Sequence, residues 1–252
     1  MEESISQAAG AGGAAAELLA RWGAVRAWVA EAAARCGRDP QGVEIVAVSK
    51  YHPWMEVAAV ARAGQAAFGE NYVQEALTKQ DRLADVDISW HFIGKLQSNK
   101  ARLAAGRFAL VHTVDSSKLA RALHNATIGQ GGDRPGARQA VLIQVNTGRE
   151  PQKSGVAAEN LPALAEEVEA LEGLRLAGLM CMPPFDEDPE LARPHFAELR
   201  GLKEDLERRL GRGLEHLSMG MTQDFAQAIE EGATLVRIGT AIFGPRPMKT
   251  QG

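Results

Sequence analysis

The segment EIVAVSKYHP, residues 44–53, decides how the chain reads. Ile45, Val46, Ala47 and Val48 are small or β-branched, the pattern of a strand buried on both faces. The run stops abruptly at Ser49 and Lys50. A lysine at the tip of a buried strand needs a purpose, which the rest of the chain suggests.

Seven further short runs follow, at 66–70, 89–93, 109–114, 140–146, 175–182, 216–220 and 234–239. Helical periodicity fills the gaps at 54–63, 72–84, 97–105, 116–126, 159–171, 190–210 and 223–231. Gly64, Gly106, Gly173, Gly211 and Gly232 fall at or near the helix ends. Parallel strands need crossover helices, so this alternation predicts an α/β fold, a single (β/α)8 TIM barrel. An open doubly wound sheet is the alternative, but no GxGxxG follows the first strand. An extra N-terminal helix, 14–36, aligns Leu18, Trp22, Val25 and Val29 and is expected to cover the wall that a terminal helix usually covers. Residues 1–13 are expected to be a disordered or frayed tail, and 14–252 the barrel. The segment GQGGDRPGAR, 129–138, reads as a surface connection.

Composition narrows the function classes. Hydrophobic residues make up 45% and charged residues 24%, as in ordinary globular proteins. A net charge of −4 argues against general nucleic-acid binding. The two cysteines, Cys36 and Cys181, give no disulfide framework and fit a reducing compartment. MEESISQ at the start lacks the features of a signal peptide, and no apolar run would span a membrane, so a cytoplasmic location is expected. His52, His112, His124, His195 and His216 show no ligand spacing, and no metal is expected. Cys181 reads as a small core residue, and GKLQSNKAR (94–102) and ELRGLKEDLERR (198–209) as solvated helix faces.

In such barrels chemistry sits at the C-terminal ends of the strands. That rule gathers Lys50, Glu70–Asn71, His91, Thr113–Asp115, Asn146–Thr147, Met182, Ser218 and Arg237–Thr240 on one face. A lysine in a partly dry pocket can attack a carbonyl, whereas the plainer reading is an ion pair with Glu70. HLSMGMTQD (216–224) and LVRIGTAIFG (235–244) follow the last two strands, the recurring phosphate site of this barrel. There Ser218 and Thr240 add hydroxyls, while Gly220 and Gly239 admit close approach to an anion. A helix is expected to start near Thr222, which suits an N-cap. Arg237 needs an acceptor, for which a substrate, a cofactor ring nitrogen or a protein carboxylate would serve. An amine, a phosphate cradle and an arginine meet the requirements of pyridoxal 5′-phosphate (PLP). A class I aldolase-like barrel, binding a phosphorylated sugar on Lys50, remains an alternative.

EIVAVSKYHP, FGENYVQEA (68–76), WHFIGKLQSNK (90–100), VLIQVNTGREPQKSGV (141–156), GLMCMPP (178–184) and the stretch 217–244 together resemble the pyridoxal phosphate homeostasis proteins, single-domain relatives of the alanine racemase barrel. The resemblance covers about residues 17–246. It implies PLP held as an internal aldimine on Lys50. It further implies phosphate contacts from Ser218, the Met219 backbone N–H, Gly239 and Thr240, with Arg237 at the pyridine nitrogen. Asn71 would lie beside the cofactor, and His91 less directly. Tyr51 stands where threonine is common and is expected to face away from Lys50, since strand residues alternate.

The family implies a role in vitamin B6 homeostasis without established turnover, with PLP-dependent apo-enzymes as recipients. Two-domain racemases take a second base from a β-domain, whereas here the eighth strand lies close to Gly252. Tyr51 and Tyr72 are the only tyrosines. No residue is therefore assigned a catalytic role, and a low-activity PLP-dependent racemase or lyase is the alternative. The barrel exterior shows no self-complementary patch, so a monomer or weak dimer is expected. The proline-rich loop 183–194 begins at a strand end, where it would shield the pocket.

Overall fold

The computed structural model describes residues 2–129, 138–150 and 153–245, with side chains from residue 13. A long helix α1 (Glu2–Arg35) precedes β1 (Glu44–Val48), α2 (Trp54–Arg62), β2 (Ala67–Glu70), α3 (Val73–Arg82), β3 (Ser89–Phe92) and α4 (Ala101–Ala104). The chain continues through β4 (Leu110–Val114), α5 (Ser117–Gly129), β5 (Gln139–Val145), α6 (Leu161–Ala170), β6 (Leu174–Cys181) and α7 (Arg193–Leu210). It finishes with β7 (His216–Ser218), α8 (Phe225–Glu230), β8 (Leu235–Ile238) and α9 (Thr240–Phe243). Every strand is parallel to its neighbours, and β8 pairs with β1 to close the barrel in sequence order.

All eight apolar runs are strands, because both faces of each are largely buried and apolar residues dominate them. Val46, Ala67, Leu110, Ala140, Leu142, Ala177, Met180 and Leu235 fill the lumen. Alternate residues such as Ile45, Phe68, Phe92, Val111 and Ile143 pack outward against the helices. β6 changes parity midway. Its pairing to β5 slips between Val141↔Leu176 and Leu142↔Gly178, so Ala177 and Met180 both face inward. Gly178 sits at φ 155°, and a Cβ there would lie 2.0 Å from the His216 carbonyl oxygen.

α1 packs against α2, α8 and α9, across the seam between the first and last strands. It buries Leu18, Trp22, Val25, Val29, Ala32 and Ala33. Two polar contacts lock it in place. Trp22 Nε1 donates to Gln65 Oε1 at 3.0 Å, and Arg21 Nε donates to the Ile242 carbonyl at 3.0 Å. The helix runs continuously from Glu2, so residues 2–13, expected as a frayed tail, belong to it. Most of the 129–138 connection lies outside the described residues. Among those residues no helix is long and apolar enough to cross a membrane, and no group of three or more metal-ligating side chains occurs.

Candidate functional site

β1 ends at Val48, and Ser49, Lys50 and Tyr51 form a turn, closed by the His52 N–H donating to the Ser49 carbonyl at 3.0 Å. Tyr51 has φ 69°, so strand alternation does not set its direction. Its N–H donates to Glu75 Oε1 at 2.6 Å, and its hydroxyl meets that of Tyr72, which stands exposed where α3 begins. Strand register sets what flanks the end of β1, which the half-buried Lys50 follows. Val48 lies opposite Gly69 on β2, and Ala47 opposite Ile238 on β8. The Glu70–Asn71 and Gly239–Thr240 segments thus lie to either side of the strand end that Lys50 follows.

Glu70 has partners of its own on one oxygen, while its Oε2 is buried without a hydrogen-bond partner. The Lys79 ammonium donates to Glu70 Oε1 at 2.6 Å, as does the Ser49 hydroxyl, also at 2.6 Å. Burial holds the Glu70 carboxyl above its usual range in spite of these donors. Lys79 is only 5% exposed, a burial that its residue type does not announce. The one available signal was its position four residues after Glu75 on a helix that buries Val73 and Ala76.

Below the mouth lies a second polar group. Arg237 is buried on β8, where Nη1 donates to Ser218 Oγ at 2.7 Å and Nη2 to the Cys181 carbonyl at 2.9 Å. Among the described residues no carboxylate forms an ion pair with it. His112 Nδ1 lies 2.9 Å from Ser218 Oγ, and its Nε2 lies 3.0 Å from His91 Nδ1. His91 Nε2 in turn lies 3.2 Å from Ser89 Oγ. The bond between the rings needs a bare nitrogen on at least one of them, which two neutral imidazoles provide. Burial enforces that form, holding His91 down to about 4 and His112 well below its ordinary value. His91 thus faces the lumen under the mouth, and His112, which was not expected, links it to Ser218. Burial likewise pushes the Cys181 thiol up to about 12, as befits a core residue.

The two glycine-bearing turns divide. The Met219 N–H, expected to face a phosphate, instead donates to the Leu235 carbonyl at 3.1 Å, extending the β7–β8 ladder by one rung. Gly220 has φ 88°, and a Cβ there would come within 2.5 Å of Ala228, so the turn packs directly on α8. That helix starts at Phe225 and not near Thr222, and Asp224 accepts the Met221 N–H at 2.6 Å. Gly239 lies against the end of β1, where a Cβ would be 3.2 Å from the Val48 carbonyl oxygen. Thr240 is exposed at the start of α9. Beside these turns a cleft of about 500 Å³ is lined by Phe185 and Asp188 of the proline-rich loop and by Met221, Thr222 and Thr240. The loop therefore flanks the mouth, as its position after β6 implied.

Asn71 follows β2, and its side-chain oxygen is buried with no hydrogen-bond partner. Gly94 holds that segment in place, since a Cβ at 94 would lie 2.0 Å from the Asn71 carbonyl oxygen. Gly94→Ala is expected to push Asn71 and the start of α3 away from the mouth, costing about 2–3 kcal/mol by overpacking. Denaturant melts would read the loss.

Residues 22–247 match the family described as alanine racemase, N-terminal domain. The pyridoxal phosphate homeostasis protein of Pseudomonas aeruginosa is 48% identical over 224 residues, covering 88% of this chain and 93% of that protein. That of Escherichia coli (strain K12) is 41% identical over 231 residues, covering 88% and 94%. Among solved structures, PipY of Synechococcus elongatus PCC7942 with PLP bound is 37% identical with a TM-score of 0.74, covering 86% of this chain and all of that one. Alanine racemase from Corynebacterium glutamicum, at 18% identity and a TM-score of 0.65, shows the shared fold alone. The chain belongs to the pyridoxal phosphate homeostasis proteins, within the alanine racemase N-terminal domain family.

Proposed function

We propose that this protein binds PLP in the barrel mouth through Lys50 and serves intracellular vitamin B6 homeostasis as a cytoplasmic holder of the cofactor. The observation that carries the reading is a half-buried amine in the same barrel as a buried guanidinium that, among the described residues, has a hydroxyl and a carbonyl as partners and no carboxylate in contact. A mouth that offers an amine, a guanidinium, hydroxyls and the unpartnered Asn71 oxygen suits an anionic, hydrogen-bonding ligand. PLP fits this set, since when bound it supplies an aldehyde for an amine, a phosphate for anion-binding groups and a ring nitrogen for a tuning partner.

The chain's own residues divide the work. Lys50 offers the amine at the rim. Arg237 presents N–H groups below it, fixed in direction by Ser218 and the Cys181 carbonyl. A guanidinium there donates hydrogen bonds and cannot accept one, so it favours a neutral ring nitrogen and a weaker electron sink than an acid partner would provide. Gly239 and Thr240 border the same opening and, with Ser218, supply the groups for a phosphate. Met219 contributes packing and no free N–H. Tyr51, Tyr72, Met182, Phe185 and Met221 stand exposed on segments following the strands. Such an apolar rim suits docking of apo-enzymes that receive the cofactor.

The test is an absorption spectrum of the protein incubated with PLP, before and after borohydride, with Lys50→Ala alongside. A visible band that disappears on reduction, with a phosphopyridoxyl adduct mapped to Lys50, is expected. A protein that stays colourless with PLP would overturn the reading and move the sugar-binding barrel to first place.

A further inference from the structure

Lys79 is a fully hydrogen-bonded buried ammonium that the proposed function does not use. Its Nζ donates to the Ser49 carbonyl at 2.7 Å, to Glu70 Oε1 at 2.6 Å and to Glu75 Oε1 at 2.8 Å. These three bonds exhaust its donors. Both carboxylates also hold the turn directly. Glu70 accepts the Ser49 hydroxyl, and Glu75 accepts the Tyr51 N–H. One cluster therefore grips the residue before Lys50 and the residue after it.

The grip has work to do. Tyr51 sits in the left-handed region, which is sparsely populated for a bulky side chain and persists only when surroundings impose it. Relaxing Tyr51 would rotate the peptide units flanking Lys50 and swing its side chain. The cluster itself is anchored on rigid elements. Glu75 and Lys79 lie one turn apart on α3, Glu70 ends β2, and Ser49 follows β1.

We propose that Lys79, with Glu70 and Glu75, is a positioning clamp that aims the Lys50 amine into the barrel mouth. The clamp acts through the backbone on either side of Lys50. This inference rests on the reading of Lys50 as the amine that takes up PLP.

Glu75 is the place to test it, because a quarter of its side chain is exposed and its replacement leaves the core intact. Glu75→Gln keeps an oxygen that accepts from both Tyr51 and Lys79, whereas Glu75→Ala removes it. The growth of the visible band on adding PLP should slow about tenfold in Glu75→Ala, as misaimed reacting groups require, and stay near wild type in Glu75→Gln. Two readouts need no PLP. The Tyr51 amide should exchange faster with solvent in Glu75→Ala. The rate of methylation of Lys50 by formaldehyde and cyanoborohydride, relative to the other lysines, should also shift. Lys79→Met removes the centre of the cluster and should behave as Glu75→Ala or more severely; should it fail to fold, the two Glu75 variants still decide. Wild-type exchange and wild-type methylation in Glu75→Ala would overturn the clamp. Absence of a Lys50 adduct in the wild type would instead sink the proposed function, while exchange and methylation would still judge the clamp.

Discussion

Gly178→Ala is expected to prevent the barrel from closing, with loss of soluble protein or a cost of about 4 kcal/mol or more. Two faults combine at this position. The added Cβ would meet the His216 carbonyl oxygen at 2.0 Å, and the backbone at φ 155° disfavours any L side chain. The collision partner is main chain on β7, held by pairing to β6 on one side and β8 on the other, so neither strand can yield. The parity change in β6 that brings Met180 into the lumen would be lost with it. Glycines elsewhere predict the opposite sign. Gly23 and Gly201 lie within α1 and α7 with nothing within 4 Å of an added Cβ, so alanine there should add about 0.5–1 kcal/mol each. Thermal melts by circular dichroism would rank the three variants. A well-folded Gly178→Ala protein would show that the bulge is dispensable.

Stability should fall as pH drops from about 6.5 towards about 4, and the buried imidazole pair should be the main cause. His91 is held at about 4 in the folded chain against an ordinary value of 6.5, and His112 is shifted in the same direction. Between those values the unfolded chain takes up protons that the native one refuses, so the native state loses ground with acidification. For His91 alone the full effect is about 3 kcal/mol. Glu70, Asp224 and Glu44, raised by burial, protonate more readily when folded and offset part of this loss. The lowered carboxyls Glu167, Glu190, Glu207 and Glu215 add to the loss only at the acid end of the window, as pH approaches their ordinary value of 4.5. Urea melts at about pH 7 and about pH 5 should show the drop, and the slope should flatten in a His91→Gln, His112→Gln protein. An unchanged slope in that variant would assign the acid sensitivity elsewhere.

The strands and the approach of Gly239 to the end of β1 were legible in the sequence, because parallel strands buried on both sides read as apolar runs. Once eight are counted, the barrel rule places their ends. Other features depended on contacts that linear spacing does not encode. VQEALTKQDR reads as a polar surface helix, yet Lys79 reaches inward to Ser49, thirty positions earlier. His112 shares the inward parity of Leu110 on β4, and that alternation was a usable sign of a polar lumen. Tyr51 escaped because nothing in SKYHP announces a left-handed tyrosine. Met219 escaped because the β7–β8 pairing outlasts the three-residue strand that carries Ser218. Arg237 in sequence suits a carboxylate partner as well as a ligand, whereas in the lumen its partners are a hydroxyl and a carbonyl.

The closure of β8 onto β1, with α1 lying across the seam, also sets a schedule for synthesis. A ribosome delivers Lys50 early and Arg237, Gly239 and Thr240 late, so the two halves of the mouth meet only after nearly all the described chain has emerged. Until then α1 has no α8 or α9 to cover and β1 has an open edge, the state most exposed to chaperones and proteases. A ligand that bridges the two halves binds the closed barrel and not its precursors, and so favours completion by mass action. Cofactor supply would then govern how much of the newly made protein survives, linking the abundance of the holder to the abundance of what it holds.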